Sequence, residues 1–125
     1  MPGIKDWLRK SLGDVKLATK AIGDDETLDP AIYLTHQSVE KALKAFLVGL
    51  GEKIPKTHDL GILLDCCTRF DEEFILLQSE CKILDPYGSH SRYPDDCFYV
   101  HQKDLIEAIF MAHKIFNFVN NKILC

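Results

Sequence analysis

Lys41 and Lys44 lie three positions apart in HQSVEKALKAFL, and with Gln37 they form an i, i+4, i+7 row, so a helix would project two ammonium groups along one line. Cations spaced in this way can hold a phosphate if a further basic group comes near, and GEKIPKTHD brings Lys53, Lys56 and His58 as candidates. The plainer alternative is that the row is the solvated side of a central helix. A second cation comes from GSHSRYPDD, residues 88–96. There Pro94 fixes its own φ and disfavours helical backbone at Tyr93, which would aim Arg92 and Tyr93 in set directions. Arg92 offers a planar fork to phosphate or carboxylate, and Tyr93 a ring face and a hydroxyl. Equally, Arg92 could pair with Glu40 or Asp95 while Tyr93 packs in the core. The candidate ligand set is therefore Lys41, Lys44, His58, Arg92 and Tyr93, and no catalytic residue stands out.

Other constellations carry less. His36 in a helix invites a phosphotransfer reading, but Glu40 one turn on would repel an incoming phosphate, and His36 falls at the edge of an apolar arc, where a hydrogen-bonded packing role suits it. His36 with Glu40, and Cys97 with His101, are i, i+4 pairs of metal-ligand types; each is two ligands short of a structural zinc, so no metal is expected. GLGEK lacks the phosphate-loop spacing and follows a helix rather than a strand. Cys66 and Cys67 sit among Leu63, Leu64 and Phe70, which points to inert packing for at least one. No cofactor is implied.

Five segments with apolar residues at helical spacing must position these groups, and no strand alternation bounded by hairpin turns interrupts them. An all-α, up-and-down bundle of five helices follows, as one domain over residues 1–125. The first helix is predicted from Ile4 to Ile22, with Trp7, Leu8, Leu12, Val15, Ala18 and Ile22 on its stripe. The second starts at Asp29 as N-cap, with Pro30 at its first position, and ends near Leu50. At about 100° per residue its apolar arc runs from Ala45 through Ser38, Ala42, Phe46, Val39, Leu50 and Leu43 to Leu47, roughly 200° wide, which makes it the central helix. Thr57 is the predicted cap of a third helix from His58 to Phe70, a fourth runs from Asp71 to Leu84, and a last from Val100 to Ile123. That last helix has a core stripe of Leu105, Ile109, Ala112, Phe116, Val119 and Ile123, yet carries Phe110, Met111 and Phe118 on other sides. Such an apolar excess predicts a homodimer.

Composition bounds the partners. At 125 residues, 46% hydrophobic and with net charge −4, the chain is expected to be an ordinary globular protein, not one that coats nucleic acid by bulk electrostatics. Five cysteines, two of them adjacent, do not suggest a disulfide framework. Without a signal-like N-terminus or a run of about eighteen apolar residues, a cytoplasmic protein away from membranes is expected.

HQSVEKALKAFL, KTHDL and SRYPD, in that order and spacing, resemble the HEPN domain, the nucleotide-binding domain shared by higher eukaryotes and prokaryotes. The resemblance covers nearly the whole chain. It implies a helical bundle that pairs through its helices. It further implies a small stand-alone protein of the kind encoded beside a minimal nucleotidyltransferase, either its nucleotide-binding partner or one half of a toxin–antitoxin pair. Other members are metal-independent RNases whose Arg is followed a few residues later by a His at the start of the last helix, two such motifs meeting across a dimer. Here eight residues separate Arg92 from His101, Pro94 and two acids among them, so the nuclease pattern is not matched, and what fits is the Arg-Tyr-Pro form of the nucleotidyltransferase-linked branch. The alternative function is an RNase toxin using Arg92 with His101 or His90 across the dimer.

Overall fold

The structure, a computed structural model, describes residues 3–89 and 99–124. Among the described residues there are five α-helices and no strand: α1 Ile4–Lys20, α2 Leu28–Gly49, α3 Leu60–Phe70, α4 Gln78–Leu84 and α5 Gln102–Leu124. They form an all-α, up-and-down bundle in which α2 touches each of the other four. Ile32, Leu43 and Leu47 of α2 are fully buried, as are Leu63, Phe74, Leu105 and Ile115 around them. Each such side chain contributes about 1.5–3 kcal/mol of transfer free energy. Aromatic packing links three elements: Phe46 meets Phe74 at a centroid distance of 4.4 Å, and Phe74 meets Phe118 edge-on at 5.1 Å.

The helix ends differ from expectation where short polar side chains compete for the same backbone groups. Asp29 is not the cap of α2: Asp24 instead accepts from the Glu26 N–H, a 3₁₀ turn forms over Asp25–Thr27, and α2 begins at Leu28. Pro30 still falls in the first turn, where its missing N–H costs nothing. Asp59, not Thr57, caps α3 by accepting from the Ile62 N–H, and the Thr57 hydroxyl takes the Asp59 N–H one step outside. The predicted fourth helix is two pieces. A 3₁₀ segment, Glu72–Leu77, capped by Asp71 through the Glu73 N–H, precedes α4. α1 stops at Lys20, and Ile22 is exposed rather than on the core stripe. On α5, Ile115 is buried where Phe116 was expected, Phe118 packs on the core, and Phe110 is 73% exposed. Leu50, assigned to the apolar arc of α2, lies past its end and is exposed.

No helix among the described residues is long and apolar enough to cross a membrane. Two Gly residues at turns take positive φ: Gly51 at 75°, just after the C-cap of α2, where the left-handed conformation ends a helix with no Cβ penalty, and Gly23 at 91° in the turn beyond α1.

Candidate functional site

The polar strip of α2 is covered rather than solvated, because α1 lies along it. Ser11 Oγ donates to the Ser38 carbonyl at 2.6 Å, and Ser38 Oγ donates to the Ser11 carbonyl at 2.7 Å, a reciprocal pair that brings the two backbones close. Lys41 Nζ donates to Asp14 Oδ2 at 2.6 Å. Lys44 is buried, at 8% exposure, and its ammonium sits 5.8 Å from the centre of the Trp7 ring. Stacking a cation on an indole face offsets part of its lost hydration.

Glu40 organises the cluster. Its side chain is 5% exposed, Oε2 accepts from Lys44 Nζ at 2.9 Å, and Oε1 lies 3.0 Å from His58 Nδ1. A carboxylate that deep needs both partners, since burying an unpaired charge is costly. With Nδ1 donating to Glu40, the imidazole presents Nε2 on its outward edge, and His58 is 76% exposed. A carboxylate-held imidazole of this kind can accept a proton at Nε2 or, once charged, bind an anion. Lys53 and Lys56, on the connector leading to His58, are exposed, and among the described residues neither has an ion-pair partner.

The structure thus brings Lys44 and His58 together on one carboxylate and directs Lys41 to a different one. Arg92, Tyr93 and His90 lie outside the described residues. If Arg92 reached Glu40, it would meet oxygens already engaged by Lys44 and His58. Sequence reasoning met Glu40 only as a neighbour of His36 and a possible partner of Arg92, and missed its central part, as it missed those of Trp7 and Asp14. The available signal was on α1, where Trp7, Ser11 and Asp14 recur at i, i+4, i+7, the same spacing as the row they cover.

His36 has the packing role expected of it. It is 1% exposed, with Nδ1 3.3 Å from Gln37 Oε1 and Nε2 3.6 Å from Asp85 Oδ1. It does not join Glu40. Asp85 itself accepts from the Leu60 N–H at 3.1 Å, so it helps cap α3. Cys67 is buried with its thiol against the Leu43 carbonyl, and burial pushes that thiol above its ordinary range. Burial likewise pushes Cys81 up to about 12, so neither is a nucleophile near neutral pH. Cys97 lies outside the described residues, and among the others no three His, Cys, Asp or Glu side chains gather where they could hold a metal ion. At the head of α5, His101 is exposed and its backbone N–H donates to Asp104 Oδ2. A cavity of about 360 Å³ opens between α3 and α4, walled by Leu64, Asp65, Ile75, Gln78 and Lys82, and it includes none of the cations above.

The profile of the HEPN domain matches residues 4–122. Two crystal structures share the fold over almost their whole length. An archaeal HEPN homologue is 26% identical, with a TM-score of 0.77, covering 98% of this chain and 99% of its own. A protein from Thermus thermophilus is also 26% identical, with a TM-score of 0.81 and the same coverage. No curated protein matches the chain. With HQSVEKALKAFL and KTHDL on the helix and connector that build the Glu40 cluster and the profile matching residues 4–122, the chain belongs to the HEPN domain family.

Proposed function

We propose that this HEPN protein is a binding module for a phosphate-bearing ligand, a nucleotide or an RNA, recognised by Lys41, Lys44, His58, Arg92 and Tyr93. The observation that supports it most is the single buried carboxylate, Glu40, that holds Lys44 while turning the outward edge of His58 to solvent. Lys41 and Lys44 each arrive with a carboxylate partner, so they set the local field, and His58 with Arg92 supplies the new contacts to phosphate. Tyr93 offers a face for a base. The module works as a cytoplasmic homodimer and, by its family resemblance, beside a minimal nucleotidyltransferase, as partner or as one component of a toxin–antitoxin pair.

Calorimetry with ATP, GTP and short RNAs checks this. Binding of at least one is expected, weakened about tenfold in His58→Ala and in Arg92→Ala, a loss near 1.4 kcal/mol each. No heat with any of them removes the ligand reading and leaves only the protein-partner reading.

A second reading, a metal-independent RNase using Arg92 with His101 or His90 across the dimer, draws support from the exposure of His101 at the head of α5. It requires RNA cleavage in the presence of a chelator that disappears in His101→Ala or in His90→Ala. Cleavage that persists in both belongs to a contaminant.

A further inference from the structure

The turn that ends α2 has a defined geometry. Gly51, in its left-handed conformation, donates its N–H to the Val48 carbonyl at 3.0 Å, and the Glu52 N–H donates to the Leu47 carbonyl at 3.1 Å, the paired bonds that close a helix through such a glycine. The reversal leaves Glu52 and Lys53 beside the end of α3, where Cys66, Arg69 and Phe70 share one face at i, i+3 and i+4. These side chains and Leu47 line a cavity of about 200 Å³. It is smaller than the roughly 300–1,000 Å³ that drug-sized molecules occupy, so it suits a compact ligand.

The charges of this lining are not used up within the fold. Glu52, Lys53 and Arg69 are all exposed, and among the described residues none has an ion-pair partner, one another included. The apolar part is Leu47, 1% exposed, with the half-exposed ring of Phe70. Cys67, next to the lining residue Cys66, points its thiol at the Leu43 carbonyl, which ties the α3 wall to the α2 wall. The cavity thus sets two cations, one carboxylate and an apolar surface around a small space.

We propose that this cavity binds a free α-amino acid with an apolar side chain. Arg69 supplies a planar fork and Lys53 a second charge for the α-carboxylate, Glu52 accepts from the α-ammonium, and Leu47 with Phe70 receives the side chain. Each lining charge then gains the partner it lacks. A phosphate group would suit the two cations but be opposed by Glu52, and a simple amine would meet two like charges. The cavity shares no residue with the set Lys41, Lys44, His58, Arg92 and Tyr93, so the inference stands apart from the ligand reading.

The test titrates the full-length protein with L-phenylalanine and L-leucine, each beside the analogue lacking its carboxylate and the analogue lacking its amine, and with phenyl phosphate. Binding is read by calorimetry and by slowed modification of the half-buried Cys66 thiol in the cavity wall. At least one of the two amino acids should protect Cys66 and bind about tenfold more tightly than either of its analogues. Glu52→Gln should erase the advantage over the analogue without the amine, and Arg69→Met the advantage over the analogue without the carboxylate. Both residues are exposed, so both variants are expected to fold, which circular dichroism checks. Absence of Cys66 protection by both amino acids, equal binding of amino acid and analogue, or an advantage that survives both substitutions would overturn the proposal. So would stronger protection of Cys66 by phenyl phosphate.

Discussion

Glu40 and Gly88 show how single positions fix this molecule. Removing one partner of a buried pair leaves the other charged and without hydration, so Glu40→Gln, which strands Lys44, should cost about 3–5 kcal/mol. Lys44→Met should cost a comparable amount, and the double variant less than the sum, which urea denaturation of the three proteins measures. At Gly88 the constraint is space. A Cβ there would stand 2.5 Å from His36 Nε2 and 2.8 Å from Cδ2, and His36, 1% exposed, has nowhere to go. Gly88→Ala is therefore expected to destabilise by about 1–3 kcal/mol, as overpacking does. His36→Ser in the same chain should recover part of that loss in thermal melts. The lysine row was legible because spacing alone brings Lys41 and Lys44 into line. The contact with His58 was not, because it depends on where a connector eighteen residues further on returns to α2.

Among the elements, α5 is fastened to the opposite corner by Lys122, whose ammonium bonds Asp71 at 2.8 Å and also Glu73, and by Lys114 on Glu80. Lys122's hydrogen bond holds the Asp71 carboxyl below its ordinary 3.8. Burial pushes Glu80 up, but the bond from Lys114, a backbone N–H and the Lys114 charge together outweigh it and the carboxyl ends below 4.5. The bonds to Asp71 and Glu73 raise Lys122 above 10.5. Groups that ionise more readily folded than unfolded stabilise at pH values above their unfolded pKa, and that contribution is lost as pH falls through the folded one. The melting temperature should therefore fall below about pH 4.5, and fall again above about pH 10.5 as Lys122 loses its proton. Lys122→Met is expected to melt lower than wild type near neutral pH, with the gap closing as pH falls below 3.8 and through the lowered pKa of Asp71 in wild type, beneath which the carboxyl is protonated in both. Calorimetric scans across pH measure this. The five helical segments could be read from periodicity, since α2 and α5 are long and strongly patterned. The 3₁₀ segments could not, because Glu72–Leu77 carries the same apolar spacing as a helical turn and differs only in the tighter winding that Asp71 imposes from its cap.

At the scale of the whole molecule, α5 places Phe110 in solvent with Ile106, 40% exposed, one turn before it. A homodimer through this face predicts that Phe110→Glu, at a site 73% exposed, leaves the melt nearly unchanged while halving the mass seen by light scattering. A wild-type monomer at micromolar concentration would refute that pairing. The three cysteines of α3 and α4 add a different kind of probe. Cys67 and Cys81 are sealed in the core, and Cys66 beside them is half-buried. A thiol reagent should thus modify Cys66 promptly and reach the other two only when the α3–α4 corner swings open. Followed cysteine by cysteine in a mass spectrometer, the slow labelling of Cys67 and Cys81 against the fast labelling of Cys66 turns the native chain into its own stopwatch for that opening, with no substitution introduced.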